Sequence, residues 1–83
     1  MRNLIGARLR RFRHSQRPRL TQRGLAARLQ VEGLNLDRVA ISKIETGYRI
    51  VTDVELLAIA RALGLSAAWL LGETYESGQG KPN

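Results

Sequence analysis

Short polar caps and stop glycines divide this chain into segments too brief for anything but small helices. Thr21, Asp37, Thr52 and Ser66 stand where a side-chain oxygen can accept from the first free N–H groups of a helix. Gly33, Gly47, Gly64 and Gly72 follow where a left-handed residue ends one. Between these marks the apolar residues recur at helical spacing, and no stretch alternates as a strand does. The fold class is therefore all-α, with five short helices.

The first helix takes Asn3 as its cap and runs to about His14, with Ile5, Leu9 and Phe12 on one face and Arg8, Arg10 and Arg11 on the other. Gly6 inside it implies either close packing or fraying. Ser15 to Arg19 is a loop, because Pro18 disfavours helix before it. The second helix runs from Gln22 to about Gln30 and buries Leu25, Ala26 and Leu29. A turn with Gly33 and Asn35 leads to the third, Arg38 to Thr46, whose inner positions are Ile41 and Ile44. Thr52 and Glu55 make a capping box for the fourth, which ends near Leu63 and buries Leu56, Ile59, Ala60 and Leu63. Ala67 to Leu71 is the fifth. Residues 1–72 form one domain, and 73–83 read as a flexible polar tail.

Charge narrows the function. Residues 1–49 hold twelve basic and three acidic side chains, a net of +9, whereas 50–83 carry a net of −2. Twelve of the fourteen cations are arginine, whose planar fork bonds phosphate and guanine edges in pairs. A basic half on a small domain points to a polyanion, most simply nucleic acid. With no Cys, disulfides, thiol chemistry and Cys-ligated zinc are excluded. No apolar run approaches the ~18 residues of a membrane span, and no secretory signal is visible. The expected location is cytoplasmic, on the nucleoid.

Two short helices joined by a turn inside a basic helical domain are what a helix-turn-helix reader of DNA requires. One helix crosses the phosphate backbone, and the next lies in the major groove with apolar residues inward. The third helix fits, because Arg38, Val39, Ser42 and Lys43 can face out while Ile41 and Ile44 face in. The residues Thr21-Gln22, Leu25-Ala26, Leu29, Ile41-Ser42-Lys43-Ile44-Glu45, Gly47-Tyr48-Arg49, Ala60, Ala62-Leu63-Gly64 and Leu70-Leu71 resemble the lambda-repressor-like (Xre/Cro-type) helix-turn-helix family of phage and bacterial regulators. The resemblance covers about residues 4–72.

It implies sequence-specific binding of double-stranded DNA by a small transcriptional regulator, in the first place a repressor. Arg38, Val39, Ser42 and Lys43 then take the base-reading positions, Arg38 toward a guanine and Val39 toward a thymine methyl. Lys43 can instead serve a phosphate, and Val39 can simply pack against a neighbour. Gln22 matches the family's phosphate-binding glutamine. Arg23, Thr46 and Arg49 are further phosphate candidates, as are Arg17 and Arg19 from a lengthened first loop. Arg13 and Glu45 match positions that pair across helices one and three, which would neutralise a carboxylate that otherwise repels DNA. The family often dimerises through its C-terminal helices, which makes Trp69, Leu70 and Leu71 candidate dimer contacts; the alternative is that they close the core, with the Trp69 N–H reaching solvent.

Two departures from the family pattern stand out. The link from Leu29 to Ile41 is about five residues longer, so either the second helix is extended or the turn is longer. Gly24 stands where a capping-box Glu is common, which also removes a charge that phosphate would repel.

Other functions fit less well. His14 has no Cys, Ser-base or metal partner at a useful spacing, and no Gly-rich phosphate loop occurs, so no enzyme, cofactor or metal is expected. An antitoxin that binds both operator DNA and a toxin protein is the principal alternative, since such proteins share this fold. A membrane-surface role for the basic first helix is disfavoured, because its apolar face has only the size a small core needs.

Overall fold

A computed structural model describes residues 1–73. Five helices follow one another: α1 (Gly6–Ser15), α2 (Gln22–Val31), α3 (Arg38–Glu45), α4 (Asp53–Leu63) and α5 (Ala67–Leu71). The described residues contain no strand. The tail expected over 73–83 lies outside them from residue 74 onward.

Four helices start on a side-chain cap. Thr21, Asp37, Thr52 and Ser66 accept from the N–H of Gly24, Ala40, Glu55 and Trp69. Glu55 Oε1 accepts in return from Thr52 N–H at 3.0 Å, which completes the capping box. The helix α1 starts differently. Ile5, not Asn3, holds its cap position, and no side chain bonds there. Asn3 instead folds a turn ahead of the helix, its Oδ1 accepting from Ile5 N–H and Gly6 N–H. Its Nδ2 donates to the carbonyls of Ile44 and Arg49, tying the N-terminus to the last turn of α3 and to the middle of the loop that follows.

The core is one cluster to which every helix contributes: Ile5 and Leu9 beside α1, Leu25 and Leu29 from α2, Ile41 and Ile44 from α3, Ile59 from α4 and Leu70 from α5. Burying each such side chain is worth ~1.5–3 kcal/mol relative to leaving it exposed. α2 packs on both α3 and α4, α1 crosses α3, and α5 closes against α4. Gly6 is the point of closest approach: a Cβ there would overlap the Ile44 carbonyl oxygen. Close packing, not fraying, is the use of this glycine.

The long link between α2 and α3 is a lengthened turn, since α2 gains a single residue, Val31. Gly33 takes φ +85°, and its N–H bonds Gln30 O while Leu34 N–H bonds Leu29 O. This is a Schellman ending, for which glycine is preferred. Leu34 then packs against the core and Leu36 is buried in it, so two leucines anchor the turn.

Candidate nucleic-acid interface

At 3.6 residues per turn, Arg38, Val39, Ser42, Lys43 and Thr46 fall on one side of α3, and Ala40, Ile41, Ile44 and Glu45 on the other. The first group faces outward: Arg38, Val39, Lys43 and Thr46 are exposed and Ser42 is half-buried. Neither Arg38 nor Lys43 spends its charge on a neighbour among the described residues. The outer arc of α3 thus offers two cations, a hydroxyl and a methyl-bearing side chain within two turns.

Behind this arc lies a buried charge pair. Arg13 Nε and NH2 donate to Glu45 Oε2 and Oε1 at 2.6 and 2.7 Å, and Arg13 NH1 donates to the Leu20 carbonyl at 3.0 Å. The side chains are 6% and 2% exposed. Gln22 joins them, its Nε2 donating to Glu45 Oε1 at 3.1 Å. Each of these bonds has an ionised partner, the kind that is shorter and stronger than a neutral bond. They lock α1, the start of α2 and the end of α3 in fixed register. They also turn the Glu45 charge away from the outer arc.

A profile of the helix-turn-helix domain, of the Cro/C1 (Xre-like) type, matches residues 4–70. The chain belongs to this helix-turn-helix family. No match was found among curated proteins or solved structures. A helix-turn-helix domain of this type binds DNA and serves transcriptional regulation; the family is not one of enzymes. No group of three His, Cys, Asp or Glu that could hold a metal occurs among the described residues. Nor is any helix there long and apolar enough to cross a membrane.

In this helix-turn-helix domain the cations put forward as phosphate ligands have different surroundings. Arg19 and Arg23 are exposed. Arg23 lines, with Gln30, Leu36, Asp37 and Arg49, an open groove of about 650 Å³. Arg49 is already engaged: its two terminal nitrogens donate to Glu55 at 2.9 and 3.1 Å. That fork holds the Glu55 carboxyl below its ordinary pKa and the Arg49 guanidinium above its own. It straps the loop after α3 to the first turn of α4. Arg17 turns its NH1 back onto the carbonyls of His14 and Gln16, both at 2.8 Å. Thr46 directs its hydroxyl at the Ser42 and Lys43 carbonyls, so its single proton serves the end of α3.

The α5 candidates for a dimer contact separate sharply. Leu70 is fully buried and Trp69 nearly so, because α5 is one turn long and needs both to close on the core. They have no surface to offer a second copy. Leu71, 36% exposed, is the one that does. Nor does the Trp69 N–H reach solvent: it is buried and has no hydrogen-bond partner among the described residues. The indole lies edge-on to Phe12, ring centres 6.4 Å apart, with the Arg8 guanidinium 5.2 Å from its ring centre.

His14 is half-buried beside the site. Partial loss of water holds its pKa below the ordinary value, and Arg19, Arg13 and Arg10 add to this against a smaller pull from Glu45. Two residues here have neighbours that their local sequence does not reveal. Asn3 gave no hint of its bonds to residues more than forty positions away. Arg10 shares the outer face of the first helix with Arg8 and Arg11, and only its place one turn before Arg13 sets it beside Glu45.

Proposed function

We propose that the chain is a sequence-specific transcriptional repressor that reads the major groove with α3. Arg38, Val39, Ser42 and Lys43 face the base edges, and Gln22, Arg23 and Arg19 attend the flanking phosphates. The observation that carries this reading is the outward arc of α3, where Arg38 and Lys43 stand exposed with no partner among the described residues. A guanidinium placed so can take O6 and N7 of a guanine together, a contact worth ~1–3 kcal/mol of discrimination.

The protein acts as a dimer on a pseudo-palindrome, with half-sites about one helical turn apart, roughly 34–36 Å. Of Trp69, Leu70 and Leu71, Leu71 is the one exposed enough for that contact. With ~4–5 phosphates per protomer, log K falls against log salt with a slope near −4.

Selection from a random duplex library at ~150 mM salt, where non-specific binding weakens, tests this. Recovery of a short inverted repeat is the expected result. Retention of DNA without a motif would leave a non-specific binder, and no retention would redirect the search to a protein partner such as a toxin.

A further inference from the structure

Two open grooves meet where α1 crosses the helix-turn-helix. The first, about 450 Å³, is lined by Arg10, Gln22, Ser42, Glu45 and Thr46. The second, about 420 Å³, is lined by Ala7, Arg10, Arg11, His14 and Glu45. Arg10 and Glu45 belong to both, so together they form one channel. It leads from the outer arc of α3, at Ser42 and Thr46, across Arg10 and along α1 to His14.

The charges in this channel are unevenly committed. Glu45 is its one carboxylate, and both oxygens are taken, Oε2 by Arg13 Nε and Oε1 by Arg13 NH2 and Gln22 Nε2. Arg10 makes no hydrogen bond or ion pair among the described residues and is exposed. A guanidinium at the mouth of a groove whose carboxylate is already neutralised is set to receive an outside anion. Gln22 lies across the groove from it. Its amide carries a second N–H besides the one given to Glu45.

We propose that Arg10 grips a DNA phosphate at the α1 edge of the interface, in the groove it shares with Gln22 and Ser42. This rests on the DNA-binding reading and adds α1 to the elements that hold the duplex. With α3 in the major groove, the strand along its Ser42 side passes over this channel. Arg10 then fixes how far α3 tilts toward α1. Such a contact positions the protein and carries no sequence information.

The test is the salt dependence of binding to a mixed-sequence duplex, measured for the wild-type chain and for Arg10→Ala, Arg10→Gln, Arg10→Lys and Arg61→Ala. Arg61 is exposed on the last turn of α4, a helix that lines neither groove, so it controls for net charge. The proposal predicts that Arg10→Ala and Arg10→Gln each flatten the log K against log salt slope by about 0.9 per protomer. Arg10→Lys and Arg61→Ala keep the wild-type slope, and melting temperatures stay together. An unchanged slope in Arg10→Ala overturns the proposal while leaving the DNA reading intact, and so does an equal flattening in Arg61→Ala. If the wild-type chain retains no duplex, the DNA reading falls and this site falls with it.

Discussion

Arg13 and Glu45 stand thirty-two positions apart in the chain and meet through two parallel N–H···O bonds in the core. Removing one partner of such a pair strands a buried charge, at ~3–5 kcal/mol, whereas replacing both by apolar groups is often close to neutral. Arg13→Met and Glu45→Leu should therefore each destabilise the protein severely, and the double variant less than either alone. Urea denaturation of the four proteins checks this. Independent, additive losses would mean that the pair does not hold α1 to α3.

Gly6→Ala sets two effects against each other. Alanine is the better helix former by ~1 kcal/mol, but its Cβ would overlap the Ile44 carbonyl at the α1–α3 crossing. Overpacking of this kind costs ~1–3 kcal/mol, so a net loss of stability is expected. Roughly 4–8 °C in melting temperature corresponds to each kcal/mol in a domain of this size. A rise in melting temperature would show that the crossing can open without penalty.

Gly33→Ala tests the lengthened turn. Its φ of +85° is unfavourable for a residue with a Cβ, and the left-handed region costs such residues ~1–2 kcal/mol. Nothing lies within 4 Å of a Cβ added there, so the loss measured by denaturation reports backbone strain alone. An unchanged stability would mean that the turn has another conformation available.

Glu55 links pH to stability. The Arg49 hydrogen bonds, above all, lower its folded pKa from the ordinary 4.5. A depressed carboxyl pKa contributes stability that is complete above the unfolded value and is lost as pH falls through the folded one. Melting temperature should thus drop on acidification below about pH 4.5. In Glu55→Gln the melting temperature should be lower at neutral pH and its acid decline shallower. Parallel acid limbs for the two proteins would dissociate the fork from stability.

Local chemistry made most of the fold legible in the sequence. Thr21, Asp37, Thr52 and Ser66 act within three residues of themselves, so their caps could be read directly. Asn3 could not be read that way, because its side chain is claimed by the Ile44 and Arg49 carbonyls, more than forty residues along the chain. The α2–α3 link was ambiguous for a related reason: Leu34 and Leu36 fit a helix or an anchored turn equally, and Gly33 decides only once its φ is known. In the interface, exposure separated residues that composition had left alike. Arg49 is claimed by a carboxylate that the capping box alone would have assigned to Thr52. Arg10 is distinguished by what lies beside it, not by its type.

In the proposed function, the outer arc of α3 reads sequence. This is tested most directly by replacing Arg38, Val39 and Lys43 together with alanine. Affinity is then measured for the selected duplex and for a scrambled one at equal salt. The selected duplex should fall to the affinity of the scrambled one while the fold and residual binding persist. A preserved ratio between the two duplexes would contradict this and place recognition elsewhere on the protein.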